Sequence, residues 1–371
     1  MTASNKPISK VDIYAISGDD QYLADMVRTL GSFYRVSKFK DATAAAGKMA
    51  TSMPAALVVD EHARPMNGEI ALKELARHRE LDRIPLVCTA SPDKAGFIAQ
   101  AKRHIPNFII LKPYKAREIL TALSSEVNAG VEAEWEKLEP TPRTALTKTV
   151  SMFHQITDLI DTGQQLPYQE VQECCAPLVE AVQTNQYKGI LRGVRSHDNY
   201  SYVHSLRVAT FLSLFGHAIG MGGDELLLLS SGGLLHDVGK QSIPFEVLNK
   251  PGKLDDKEWE TMRSHVTRTI DYLKVSSGIP NGVMTIAAQH HEKLDGSGYP
   301  NGLKGSELND LARMAAIVDV FGALTDRRVY KPPMPPEKAL TIMAIEMSEE
   351  LDMKFLALFR EMLLEAATDS L

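Results

Sequence analysis

The chain has 371 residues, 44% apolar and 24% charged, enough for two or three globular domains with cores of their own. A net charge of −6, a pI near 6.0 and no Lys/Arg block exclude a non-specific binder of nucleic-acid polymers. Three cysteines, Cys88, Cys174 and Cys175, exclude a disulfide framework and suggest a reduced, cytoplasmic chain. No apolar run reaches the roughly 18 residues needed to span a bilayer, so no membrane insertion is expected. The opening Met1–Lys10 segment lacks the apolar centre of a signal peptide.

Strand candidates come first. Val11–Ile16, Ala55–Val59, Pro85–Thr89 and Asn107–Leu111 are short apolar runs with helical periods between them. Strands alternating with helices predict a parallel α/β sheet, whose ligands sit at the carboxyl ends of the strands. Asp19, Asp60, Thr89 and Lys112 fall at those ends. A helical connector follows. Glu118–Leu138 carries a loose apolar stripe, Pro140 and Pro142 punctuate it, and Leu146, Val150, Phe153, Ile156 and Ile160 mark a second helix. Val171–Val182 is a third, with Pro177 as a possible kink. These stripes fit either an internal core or a dimer seam.

Beyond residue 200 the pattern is helical throughout, predicting an all-α domain. Polar groups recur inside its apolar helices: His204, the adjacent His236-Asp237, His265, the pair His290-His291, and Asp319. One histidine on an apolar face is usually a hydrogen-bonded core residue, and His217 is read that way. A buried carboxylate, however, must be paired or bound to a metal. The recurrence of such groups on successive helices points to a shared metal centre. The mixture of imidazoles and carboxylates suits Fe, Mn, Zn or Co and is too nitrogen-rich for Mg²⁺ or Ca²⁺. Gly222-Gly223-Asp224 reads as a helix start, Gly239 as a C-cap, Met284–Glu292 as a short helix, and Asp310 as the cap of the last ligand helix.

The first segment resembles a response-regulator receiver domain of flavodoxin-like fold. Asp60 matches the phosphoacceptor, with Gly68 at the expected distance, Thr89 the switch hydroxyl, and Lys112-Pro113 the Lys-Pro after the last strand. Gly18 stands where the first acid of the Mg²⁺ site belongs, leaving Asp19 alone. The resemblance implies Mg²⁺ and a sensor histidine kinase as partners. A pseudo-receiver that packs and dimerises without phosphorylation is the alternative.

The second half is similar to the HD-GYP domain, a subgroup of the HD superfamily of metal-dependent phosphohydrolases. The motifs are His236-Asp237-Val238-Gly239-Lys240, Leu248–Leu254, His290-His291-Glu292 running to Asp295-Gly296-Ser297-Gly298-Tyr299-Pro300, and Asp319–Thr325. The resemblance implies a cyclic-di-GMP phosphodiesterase that yields linear pGpG, with further cutting to GMP in some members. It assigns His204, His236, Asp237 and Asp319 to one ion, and Asp237, His265, His290 and His291 to a second. Fe or Mn is the implied pair, with Zn, Co and Ni as alternatives. Lys240 and Arg313 are implied phosphate contacts, and Gly298 and Tyr299 shape the substrate pocket. Asp237 and Lys240 are the implied catalytic residues. Family members that bind three ions place a Glu where this chain has Tyr200, so two ions are expected. Val266, Thr269, Gly322 and the run Asp326–Tyr330 also depart from the pattern. A slow enzyme acting as a cyclic-di-GMP sensor or scaffold, and an HD hydrolase of another nucleotide, are competing readings. The expected organisation is a receiver-like domain over 1–125, a connector over 126–195 and an HD-GYP domain over 196–371. A homodimer and a diguanylate cyclase or other signalling protein complete the expected partners.

Overall fold

The computed structural model describes residues 11–31, 34–78, 84–104, 108–195, 197, 199–248, 250, 252–326 and 334–368. The chain divides into two compact units, residues 1–130 and 131–371.

The first unit is a five-stranded parallel sheet in the order β2-β1-β3-β4-β5. Its strands are β1 (Asp12–Ile16), β2 (Arg35–Phe39), β3 (Ala56–Asp60), β4 (Leu86–Ala90) and β5 (Ile109–Leu111). Helices α1 (Asp20–Leu30), α2 (Ala42–Met49), α3 (Gly68–Leu75) and α4 (Ala95–His104) make the crossovers, and α5 (Ala116–Glu134) follows. β3 and β4 are buried along their whole length, as central strands covered on both faces must be. This strand order is the flavodoxin-like one, with its switch point between β1 and β3. The β3–β4 register sets Asp60 beside Thr89 at the carboxyl edge. The Asn107 end of the fourth predicted strand lies outside the described residues.

The second unit contains only helices and short 3-10 turns among its described residues. Helix α6 (Pro140–Thr162) begins with Pro140, whose missing N–H costs nothing at a helix start. Leu146, Val150, Phe153 and Ile156 on α6, and Val171, Leu178 and Val182 on α7 (Tyr168–Gln183), lie in the core of this unit. Their stripes are therefore an internal core. Pro177 sits inside α7 without ending it. After α8 (Tyr187–Gly193) come α9 (Tyr200–Ala218), α10 (Gly223–Leu235), α11 (Phe245–Leu248), α12 (Asp256–Val275), α13 (Asn281–Gln289), α14 (Asp310–Thr325), α15 (Pro336–Glu346) and α16 (Met353–Thr368). Helices α9, α10 and α14 are apolar almost all round, so they pack centrally. Polar side chains in their middle turns, such as His204 and Asp319, are buried, whereas His217 near the end of α9 is exposed and is not a core residue.

Several element ends differ from the sequence reading. α13 stops at Gln289, so His290 and His291 lie just past its end. Asn309, not Asp310, caps α14 by accepting the Ala312 N–H. α10 ends at Leu235 and passes into a 3-10 turn, Val238–Ser242. Gly239 is therefore not a C-cap. Its N–H donates to Thr269 Oγ1 at 2.9 Å, tying the turn to α12. No helix of the described residues is long and apolar enough to cross a membrane.

Candidate metal centre

Four elements deliver the centre. α9 supplies His204, the end of α10 supplies His236 and Asp237, α12 supplies His265, and α14 supplies Asp319. The chain leaving α13 adds His290 and His291. Their ligand atoms gather into two groups: Asp237, His265, His290 and His291, and His204, His236 and Asp319. Asp237 reaches both. Its Oδ1 is 3.2 Å from His265 Nε2 and 3.7 Å from His290 Nε2, while its Oδ2 is 3.2 Å from His236 Nε2 and 3.6 Å from His204 Nε2. Asp319 spans the groups as well, with Oδ1 at 2.9 Å from His204 Nε2 and Oδ2 at 3.5 Å from His291 Nδ1.

The rings are held from behind. His236 Nδ1 lies 2.7 Å from the Gly233 carbonyl, His265 Nδ1 2.6 Å from that of Met262, and His290 Nδ1 3.0 Å from that of Ala287. A carbonyl only accepts, so each Nδ1 carries the proton and each Nε2 turns a lone pair to the centre. His204 is anchored differently: its Nδ1 lies 2.7 Å from Asp326 Oδ2, and Arg207 Nε lies 2.5 Å from Asp326 Oδ1.

The donor set fits a pair of transition ions. His236 Nε2, His265 Nε2, His290 Nε2 and Asp237 Oδ1 are buried, adjacent, and without a hydrogen-bond partner. Each buried unsatisfied group costs about 1–3 kcal/mol. Four together would consume much of the roughly 5–15 kcal/mol that stabilises a domain. Cations at the centre turn that cost into bonds. Burial alone would raise the Asp237 pKa, but Lys240 and His236 hold it well below the usual carboxylate range. Asp319 behaves likewise: burial raises it, and the bond to His204 with His236 nearby brings it far down. Burial, then the charges of His291 and His236, push the His290 pKa well down, and burial takes His291 to about 3. Both shifts favour the neutral ring, the form able to bind a metal ion.

The remaining residues of the site lie around this centre. Lys240 Nζ contacts Asp237 Oδ2. Tyr299 lies over His291, ring centroids 4.6 Å apart. Gly298 is obligatory there: a Cβ would meet the Glu292 Cα and the Lys293 N at 2.5 Å. Arg313 is turned to Asp352 at 3.2 Å and to the Gly305 carbonyl at 3.0 Å, so the structure shows its guanidinium on protein partners. Two residues with no role in the sequence reading emerge. Asp326 anchors His204, and buried Glu292 accepts the Asn301 and Leu303 N–H groups at 2.7 and 2.9 Å, fixing the loop that carries Tyr299. A carboxylate inside the His-His-Glu run was the available signal for Glu292. The other residues of the 326–330 run lie outside the described residues.

The carboxyl edge of the first unit is built otherwise. Asp60 is fully buried, and its oxygens are taken by protein donors. Oδ1 accepts from Ser17 Oγ at 2.9 Å and the His62 N–H at 3.1 Å; Oδ2 accepts from Thr89 Oγ1 at 3.1 Å and from Lys112 Nζ. Lys112 also donates to Glu61 at 3.0 Å. Asp19 does not join this group. Its carboxylate caps α1 by accepting the Gln21 and Tyr22 N–H groups. A side chain at Gly18 is excluded as well, because a Cβ would meet the His62 carbonyl at 2.5 Å. Of the acids expected from the receiver resemblance, Gly18 supplies none and Asp19 is turned to α1, so Asp60, Glu61 and His62 are what remain together at this edge.

Residues 194–355 match the HD domain family, and this segment is an HD domain. The chain is 35% identical over 164 residues to "3'3'-cGAMP-specific phosphodiesterase 3" of Vibrio cholerae, covering 44% of this chain and 35% of the relative. It is 34% identical over 164 residues to the "Cyclic di-GMP phosphodiesterase response regulator RpfG" of Xanthomonas campestris, covering 44% of this chain and 43% of the relative. The chain thus spans less than half the length of these curated relatives. Among solved structures, Bd1817, an HDG"Y"P protein of Bdellovibrio bacteriovorus, shares the fold at 16% identity and a TM-score of 0.50, over 66% of this chain and 80% of that one.

Proposed function

We propose that this protein is a metal-dependent cyclic-di-GMP phosphodiesterase that opens its substrate to linear pGpG. The observation that carries the proposal is the convergence of five imidazoles on two shared carboxylates, with unpaired buried nitrogens facing Asp237. His204, His236, Asp319 and Asp237 would hold one ion, and Asp237, His265, His290 and His291 the other. When bound, the pair supplies Lewis-acid charge to the phosphodiester and acidifies water. Iron or manganese is the favoured pair for this nitrogen and oxygen set, with Zn, Co and Ni as alternatives.

The chain's own residues do the positioning. The backbone carbonyls behind His236, His265 and His290 take the Nδ1 protons, which leaves Nε2 of each ring as the inward-facing ligand atom. Lys240 sets a positive charge beside Asp237, at the place where an anionic substrate must approach. That local charge offsets the net −6 of the chain, which by itself repels a dianion. Glu292 holds the Tyr299 loop over His291. Tyr200 stacks on His204 with ring centroids 5.8 Å apart, in the position where a third ion needs a carboxylate. Two ions and a pGpG product follow from this reading.

One observation favours a second reading, a slow enzyme acting as a cyclic-di-GMP sensor: Arg313 is committed to Asp352 and not free for phosphate. Product chromatography with purified, metal-loaded protein tests the two. Catalytic pGpG formation supports the phosphodiesterase, and tight binding without product supports the sensor. A diguanylate cyclase supplying the substrate and a second copy of the chain are the proposed partners. A sensor histidine kinase is a proposed partner only if Asp60 accepts a phosphoryl group.

A further inference from the structure

Trp259 is 44% exposed, an unusual position for so large an apolar ring. It stands four residues before Arg263 on α12, so the two share a helix face. The Arg263 guanidinium carbon lies 5.5 Å from the Trp259 ring centroid and 5.2 Å from that of Tyr299. Tyr299 in turn lies over His291 and 6.4 Å from His265, both members of the metal centre. A continuous row of flat groups therefore leads from the ligands out to solvent. Among the described residues no carboxylate pairs with Arg263, although acidic residues outnumber basic ones along the chain, 47 to 41. Its guanidinium is flanked by the two aromatic rings.

We propose that Trp259 and Arg263 form a guanine-binding position at the mouth of the metal centre. The inference rests on the phosphodiester reading given above and adds to it how the substrate's base is recognised. With one phosphodiester of a cyclic dinucleotide at the centre, the ribose next to it carries a base outward, along this row. The base stacks on Trp259, which serves any purine. Arg263 then selects: its forked donors match the adjacent O6 and N7 acceptors of guanine, where adenine offers a donor and an acceptor. Its place beside both the Trp259 and Tyr299 rings keeps the fork next to a base stacked there. One such position accepts any cyclic dinucleotide containing a guanine and disfavours cyclic-di-AMP.

The test uses the full-length, metal-loaded protein with three phosphodiesters: cyclic-di-GMP, cyclic-di-AMP, and base-free bis(p-nitrophenyl) phosphate. The reading is the ratio of kcat/KM for each dinucleotide to that for the base-free diester. Trp259→Ala is expected to lower the cyclic-di-GMP ratio about tenfold or more, mainly through KM. Arg263→Lys keeps the charge but loses the fork, and is expected to reduce the preference for cyclic-di-GMP over cyclic-di-AMP by about fivefold or more. A second readout is independent of turnover. The only other tryptophan, Trp135, is buried, so rapid mixing with cyclic-di-GMP should quench the emission of Trp259, and Trp259→Phe should abolish the quench. Ratios within twofold of wild type together with no quench overturn the proposal. If the wild type cleaves the base-free diester but not cyclic-di-GMP, the phosphodiesterase reading fails. The quench then decides alone: its presence supports the guanine position and its absence overturns it.

Discussion

Asp60 and Asp237 are both buried carboxylates beside a lysine, yet their surroundings are opposite. Every contact to Asp60 is a protein donor: Ser17, His62, Thr89 and Lys112 satisfy both oxygens. Asp237 has Lys240 on Oδ2, but its Oδ1 has no hydrogen-bond partner and faces imidazole nitrogens that have none either. The first site is closed by the fold. The second is left incomplete by the fold, and incompleteness of that kind marks a place where an ion belongs. Burial and a charged neighbour do not separate a structural carboxylate from a functional one. The balance of donors and acceptors around it does.

The contrast breaks most sharply at Asp237. Asp237→Asn should lower turnover about 10³-fold or more, because on the proposed assignment it is the carboxylate that both ions would share. Asp60→Asn should leave bound metal unchanged and destabilise the first unit, since Lys112 loses one of its two carboxylate partners, the fully buried one. Metal content and turnover measured on both variants test the pair; equal metal loss in the two would erase the distinction. Removing metal with a chelator comes next. Ions that bind only the folded state stabilise it by about 3–4 kcal/mol at 100–1,000 times Kd. Calorimetry should therefore show a lower Tm for the transition of the second unit, with that of the first unmoved.

Asp326→Asn is a smaller perturbation. The ring of His204 loses an anionic anchor, and loss of such an outer partner typically weakens metal affinity about 10–100-fold. Titration with a competing chelator reads this directly, and affinity within twofold of wild type would deny Asp326 a positioning role. At Asp60 the expected effect is none. Incubation with acetyl phosphate and Mg²⁺ should leave the intact mass unchanged, and a gain of one phosphoryl group lost in Asp60→Asn would show that the closed site opens.

Much of this was legible in the sequence, for identifiable reasons. His204 and Asp319 stand out because each interrupts an apolar helix, His236 and Asp237 because they follow one directly, and His265 because it lies on the buried side of α12; burial on α9, α10 and α14 follows from apolar residues on every side. The alternating runs of the first unit likewise announce a parallel sheet. Asp326 was not legible as an anchor, because it lies just past the end of α14, where an acid has many ordinary uses. What Asp19 contacts was not legible for a related reason. Position relative to a strand end does not reveal that its carboxylate turns back to cap α1 while Ser17 meets Asp60. Arg313 shows the same limit: sequence gives a basic residue near the site, and only coordinates show it spent on Asp352.

The most direct test is metal analysis of anaerobically purified protein, wild type and Asp237→Asn side by side. Close to two transition ions per wild-type chain, and fewer than one in the variant, are expected. A wild-type chain that retains no transition ion and takes none up on reconstitution would contradict the account.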